Sequence, residues 1–423
     1  MSSTKTLIES FKVAVAAAYP RQIVPQHLPE PPKGRTIVVG AGKAAASMAK
    51  AVEEHWPQNA LLKGLVVAPY NHGLPTQRIT VAEAAHPVPD EKGQSAAKQI
   101  LSLVQSAQPD DLVLALMSGG GSSLLSLPAP GISIEALRIV TTSLLKSGVP
   151  IQQINTVRKH LSAIQGGRLA LASKAPVHAL IISDVTDDDP ANIASGPCAP
   201  DPTTFADAVD ILKRYKIDAP KSIKAHLASG LMGDIPDTPK PSDYLFNKVE
   251  NHVIANNRMG LVAAGAYFQQ RGITPVLLGD SVTGEAREVA KVYSALARQI
   301  RQHGHPFKPP VALISGGETT VTIRGNGRGG RCSEFLLSLI IALQGLQGVY
   351  ALAADTDGID GSEGNAGAIA TPDSLTRAAA LHLSAQALLE NNNSYNFFAT
   401  LNNLVITGPT RTNINDYRAI LIT

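Results

Sequence analysis

Cysteine is almost missing from the 423-residue sequence, where Cys198 and Cys332 are the two thiols. Two cysteines cannot build a disulfide framework or a CxxC zinc site, and so sparing a use points to a reducing compartment. Aromatic residues make up only 4% of the chain, with a single tryptophan, so a stacking platform for nucleic-acid bases is not expected. Net charge is slight as well: the formal balance of +3 is spread without a basic stripe, which argues against DNA or RNA as a partner. No apolar run approaches the length of a membrane span, and the opening MSSTKTLIESFKVAVAAAYP has no signal-peptide cleavage pattern. The expectation is a cytoplasmic protein that binds neither membrane nor nucleic acid.

What is plentiful is Ala, Val, Leu and Ile, within an apolar share of 44% that suffices for ordinary buried cores. An apolar run over 36–39 enters GAGKAA, and 44–56 then reads as a helix, which makes a first βα unit. Further strands are expected at 64–68, 112–117 and 179–183, separated by helices such as 93–105 and 134–147. This alternation predicts an α/β fold with a doubly wound, mainly parallel sheet. A stretch rich in Pro, Asp, Lys and Gly over 218–243 reads as a linker, dividing the chain into domains 1–235 and 236–423. The second, smaller α/β series has strands at 253–255, 275–278, 311–315, 319–323 and 349–354, and a tail with strands at 404–407 and 418–422. Loops with functional residues fall in both halves, which favours a cleft between domains.

The apolar strands end in glycine-rich loops: GAGKAA from Gly40, SGGGSS from Ser118, SGGET from Ser315 and GNGRGGR from Gly325, followed by DTDGIDG from Asp355. Glycine lets backbone N–H groups approach an anion, so loops of this kind are the usual phosphate cradle of an α/β protein. Gly40, Gly42 and Ala45 satisfy the loose dinucleotide form G-x-G-x-x-A. The strand at 64–68, however, runs into Pro69, Tyr70 and Asn71 rather than an acidic residue that would grip a ribose. Lys43 sits where its ammonium can stabilise a transferring phosphoryl group, or is simply a surface lysine in a tight turn. Ser118, Gly119, Gly120, Gly121 and Ser122 offer a second cradle, and Gly316, Gly317, Glu318 and Thr319 a third.

Charged residues complete the picture. Arg158 and Lys159 precede a helical pattern and suit a carboxylate or phosphate, with a solvated helix face as the plain alternative. Asp184, Asp187, Asp188 and Asp189 follow a strand, and clustered carboxylates call for a neutralising cation such as Mg²⁺ with ATP phosphates, or else cap a helix. One of them would accept a proton from an attacking hydroxyl. Asp355, Asp357 and Asp360 repeat the theme without EF-hand spacing. Arg328 and Arg331 lie among four glycines in what reads as a mobile cationic loop. His86 and His160 have no second ligand at metal spacing.

Taken in order, VVGAGKAAASMA, AAHPVPDEKG, MSGGGSSLL, INTVRKHLSAIQGGRLA, ISDVTDDDPANIASGP, ISGGETTVTIRGNGRGGR, AADTDGIDG and VITGPTRTNINDYR make the chain resemble the class II glycerate 2-kinase family along essentially its whole length. Members of that family often carry a hydroxypyruvate reductase label. The resemblance implies a Rossmann-like amino-terminal domain, a smaller carboxyl-terminal α/β domain, and ATP- and Mg²⁺-dependent phosphorylation of D-glycerate at its 2-hydroxyl. It places the family's essential lysine on Lys43 and its glycine-loop arginine on Arg331. Asp184 is then the candidate proton acceptor, Asp187, Asp188 and Asp355 the candidate metal ligands, and Arg158, Lys159 and Arg328 the candidate substrate contacts. A homodimer stays open.

The chain departs from the family pattern where GGRNQE becomes GGRCSE, at Cys332 and Ser333, and where GPTGTN becomes GPTRTN, at Arg411. Loss of an amide beside Arg331 removes hydrogen-bond capacity and opens the way to a different nucleotide or substrate preference. Two rivals stay open: an NAD(P)H-dependent hydroxypyruvate reductase, and a non-catalytic nucleotide or sugar-acid sensor.

Overall fold

The computed structural model describes residues 2–423. The chain forms two compact units, Pro20–Ile254 and Ala255–Thr423, the latter completed by the amino-terminal segment through Tyr19. No described helix is long and apolar enough to cross a membrane.

The first unit is built on β1 (Thr36–Ala41), β2 (Leu62–Pro69), β3 (Ile79–Ala84), β4 (Leu112–Ser118), β5 (Val177–Ile182) and β6 (Val249–Ala255), in the order β3-β2-β1-β4-β5-β6. The first five pair in parallel. Every residue of β1 and β4 is buried, as expected of central parallel strands covered on both faces. Ile37, Val39, Val113 and Ala115 share one core with Ala97 and Ile100 of the helix Glu91–Gln105. After β1 the chain runs outward through β2 and β3, then returns to place β4 on the other side of β1. This reversal opens a crevice at the carboxyl ends of β1 and β4, where doubly wound folds bind their ligands.

The second unit holds β7 (Thr274–Gly279), β8 (Val311–Ser315), β9 (Val349–Asp355), β10 (Gly367–Ala370), β11 (Leu404–Val405) and β12 (Asp416–Ile422), in the order β11-β10-β9-β12-β8-β7. β7 and β8 are parallel, and the remaining pairs are antiparallel. β12 lies between β8 and β9 with all seven residues buried. Helices Ala286–His303 and Arg331–Leu343 cover one face, where Phe335, Leu336 and Leu339 enter the core. The helices Ser3–Ala16 and Asn257–Gln269 cover the other through Leu7, Phe11, Leu261 and Phe268.

The division differs from the one expected at 235/236. The stretch 218–243 is no free linker: the helix Lys221–Met232 buries Ile223 and Leu227 against Phe205, and Asp201 N–H donates to the Pro239 carbonyl. The opening helix joins the second unit because its apolar stripe packs beside Tyr417, whose hydroxyl donates to Ser10 Oγ at 2.8 Å. The strand expected at 319–323 is only a bridge between Glu285 and Thr320.

A buried ion pair braces the second unit. Arg287 donates to Glu334 Oε1 at 2.9 and 2.7 Å, and Asn392 Nδ2 donates to Glu334 Oε2 at 2.9 Å. Arg287 and Glu334 are both buried. Glu334→Ala leaves the buried guanidinium only the more distant Glu285, 3.9 Å away, so denaturant titration should show a loss of about 3 kcal/mol of stability.

Candidate active site

In the first unit the loops after β1 and β4 are tied backbone to backbone. Lys43 N–H donates to the Gly119 carbonyl at 2.8 Å, and Ala44 N–H donates to the buried Ser118 Oγ at 3.0 Å. Gly42 has φ 138°, and a Cβ there would stand 2.1 Å from Ser118 Oγ, so both the conformation and the approach demand glycine. Gly120 has φ 80°, and a Cβ there would meet the His86 ring at 3.0 Å and Lys43 Cγ at 3.5 Å. The half-buried Lys43, the SGGGSS loop and the exposed His86 therefore form one cluster at the switch-point crevice. Gly40 is a core-strand residue, where a Cβ would lie 2.2 Å from the Leu116 carbonyl oxygen.

Beneath this cluster, the Ser195 hydroxyl bridges Ser122 Oγ at 2.9 Å and Asn155 Oδ1 at 3.1 Å. Ala194 and Ser195 hold φ of 52° and 58°, a conformation that costs non-glycine residues energy and fixes this support in shape. Arg158 lines a small pocket with Ser122, Ser123, Ser162 and Gln165. Among the described residues no carboxylate pairs with it, and burial pulls its guanidinium down to about 10. The pocket, about 10 Å³ in volume, has room for little more than a water molecule as it stands, and an unpaired, partly desolvated guanidinium favours an anion.

Its neighbour Lys159 is committed elsewhere. Successive helical residues point about 100° apart, and Lys159 Nζ lies 2.7 Å from Asp201 Oδ1 with both side chains buried. Thr203 also donates to Asp201 through its N–H and hydroxyl. Lys159 thus forms a buried internal ion pair, and the structure does not bring it to the glycine loop. After β5, Asp187 is exposed, Asp184 and Asp188 are half-buried, and Asp188 has φ 53°. Asp189 closes the turn by accepting from Ala191 N–H and Asn192 Nδ2.

In the second unit three carboxylates converge on Arg331. Its Nε lies 2.8 Å from Asp416, one Nη 2.7 Å from Asp355 and the other 3.3 Å from Glu318. These carboxylates outweigh the burial cost and push the guanidinium well above its usual range. The register explains the meeting: Asp416 on β12 sits opposite Asp355 on β9, and Arg418, two residues on along β12, pairs with Asp416. Arg418 also donates to the Gly316 carbonyl and to Thr319 Oγ1. Gly316 N–H is itself bound to the Gly279 carbonyl, so the polar groups of Gly316 and Thr319 turn inward. Gly317 has φ 94° and no room for a side chain, a Cβ standing 2.3 Å from Val282 N.

The glycine–arginine loop is clamped rather than mobile. Asn392 Oδ1 accepts from Arg324 and Gly325 N–H, Asn391 Oδ1 from Asn326 N–H, and Asn393 Oδ1 from Arg328 N–H. The Arg328 side chain pairs with Glu363 and lies over the Tyr395 ring at 4.7 Å. The helix after the loop begins at Gly330, which has no capping side chain, and Asp360 supplies the cap from another loop by accepting Cys332 N–H, Ser333 N–H and the Ser333 hydroxyl. Cys332 is fully buried in the core behind this cap, where burial pushes its thiol well up. The departure at 333 therefore serves the helix cap through its side chain, whereas that at 332 fills the core.

Among residues given no role from sequence, His86, Asp416 and Arg418 stand nearest these clusters. The HPVPD and NDYR segments were visible, but only strand pairing brings them to their partners.

The strand order and the glycine loop at the switch point place the molecule among Rossmann-like α/β proteins. Residues 6–228 match the family described as a domain of unknown function (DUF4147), and 311–416 match the MOFRL family. An Agrobacterium vitis protein named "Putative hydroxypyruvate reductase" is 48% identical, over 100% of this chain and 95% of its own. A D-glycerate 2-kinase of Thermotoga maritima is 40% identical over 98% of this chain and 97% of its own. A crystal structure of glycerate kinase from Thermotoga maritima superposes with a TM-score of 0.88 at 39% identity, covering 99% of each chain. The chain belongs to the class II glycerate kinase family.

Arg411 breaks the glycine pattern at a strained position. It has φ 59°, and its Nε is buried without a hydrogen-bond acceptor. The neighbouring Thr410 is fixed to the Asp357 and Thr356 carbonyls, so the loop cannot relax around it. Arg411→Gly should raise stability by about 0.5–1 kcal/mol in denaturant titration, strain relief exceeding the extra freedom of the unfolded chain; a loss would mean the guanidinium holds the loop.

Proposed function

We propose that this protein transfers the γ-phosphoryl group of ATP to the 2-hydroxyl of D-glycerate, giving 2-phospho-D-glycerate, ADP and a proton. The observation that carries this reading is the juxtaposition of Lys43 with the Gly119–Gly121 backbone at the switch-point crevice, beside the unpaired Arg158. A glycine loop with a lysine beside it suits the polyphosphate and its developing charge, while the Arg158 guanidinium suits the glycerate carboxylate.

In this reading the protein acts by position and charge. Gly119, Gly120 and Ser122 hold phosphate, Lys43 offsets charge on the transferring group, and Arg158 orients glycerate so that its 2-hydroxyl faces the phosphoryl group. Asp184 accepts the hydroxyl proton. Asp187 and Asp188 would hold Mg²⁺, since the loop after β5 offers hard oxygen donors of the kind that ion takes. Bound Mg²⁺ supplies neutralisation of the phosphate oxygens. Asp355 is already neutralised by Arg331, so we assign it, with Asp416 and Glu318, to holding that guanidinium still. Arg331 then contributes a fixed positive charge. The reductase reading is weaker because β2 ends in Ala68 and Pro69, with no carboxylate for a nicotinamide ribose.

Purified protein with ATP, Mg²⁺ and D-glycerate should release ADP and one phosphorylated product, whose position phosphorus NMR reads directly. Glycerate-independent ADP release, or NADH oxidation with hydroxypyruvate in place of phosphorylation, would overturn the assignment. Lys43→Ala should lower kcat by about 10²–10³ with an unchanged circular dichroism spectrum. Arg158→Ala should raise the KM for D-glycerate far more than that for ATP, since a lost carboxylate contact is mainly a binding loss.

A further inference from the structure

Three side chains on one face of the first unit converge outside every residue given a part in phosphoryl transfer. β6 is the edge strand beside β5. Glu250 and His252 are two residues apart on β6, so they project to the same face, and His178 on β5 reaches them there. His178 Nδ1 and His252 Nε2 each stand 3.2 Å from the same Glu250 oxygen, Oε2. The two imidazole rings lie 4.5 Å apart, centroid to centroid, tilted by 30°, and one ligand atom from each of the three residues falls within 4.8 Å of the others.

A tetrahedral ion with metal–nitrogen and metal–oxygen bonds of 2.0–2.2 Å sets its ligand atoms about 3.3 Å apart. The nitrogen–oxygen separations here match that spacing. Two imidazole nitrogens and one carboxylate oxygen form a borderline donor set, suited to Zn²⁺ and poorly suited to Mg²⁺, which wants oxygen.

We propose that His178, Glu250 and His252 form a Zn²⁺ site that clips edge strand β6 to β5, with the fourth position open to water. The ion would fasten the outermost strand of the sheet through side chains, where the backbone has a neighbour on one side only. The assignment is independent of the phosphoryl-transfer reading, because its readouts are metal binding and stability.

Protein stripped with EDTA and dialysed into buffer with excess Mg²⁺ is titrated with ZnCl₂ in a calorimeter, and its melting temperature is followed with and without the ion. The proposal expects one saturable Zn²⁺ per chain and a raised melting temperature. His252→Ala and Glu250→Gln, both at exposed side chains, should each weaken binding at least about tenfold and remove the thermal shift, while the metal-free melting temperature stays that of the parent. Absence of saturable binding by the parent protein overturns the proposal. So does Zn²⁺ binding of equal stoichiometry and affinity in the two variants.

Discussion

The close approach of Gly42 to Ser118 is the constraint on which the first unit's chemistry rests. A buried serine hydroxyl accepts the Ala44 N–H, and the Gly119 carbonyl accepts that of Lys43, so two loops from neighbouring parallel strands become one rigid surface. Gly42 has no room for a side chain at the contact, where the Ser118 hydroxyl already stands. Lys43 is thereby placed by backbone bonds beside the Gly119–Gly121 loop. The reversal of strand order at β1 and β4 supplies the crevice, and the glycines let the backbone line it.

Partner atoms, more than residue type, separate the cations of this chain. Lys159 and Arg158 are adjacent in sequence, yet one is sealed into an ion pair with Asp201 and the other faces a polar pocket without a counter-ion. Arg331 is held by three carboxylates before any ligand arrives, a rigid arrangement that costs little reorganisation but leaves few donors to offer. Arg328 is occupied by Glu363 and Tyr395. Burial makes these distinctions matter, because an uncompensated buried charge is expensive and a compensated one is chemically quiet.

Alternation of apolar runs and amphipathic stretches was enough to read most strands of both sheets, including β1, β4, β5, β8 and β9. The glycine loops that end them stood out for the same reason: a glycine is required wherever two backbones approach at a strand end. The domain division was less legible. Polar, proline-rich text over 218–243 resembled a linker, but a few apolar residues sufficed to dock its helix. The opening helix gave no sign in sequence that its partners lie near the other end of the chain.

Local composition alone determined the α/β class, the mainly parallel first sheet and the glycine-rich loops at its strand ends, because periodicity and glycine placement are properties of neighbouring residues. Tertiary structure decided which charges are available. The opposition of Asp416 to Asp355, the clamp of Asn391–Asn393 on the arginine loop and the capture of Lys159 by Asp201 all join residues far apart in sequence. Such contacts depend on strand register and burial, and a linear pattern carries neither.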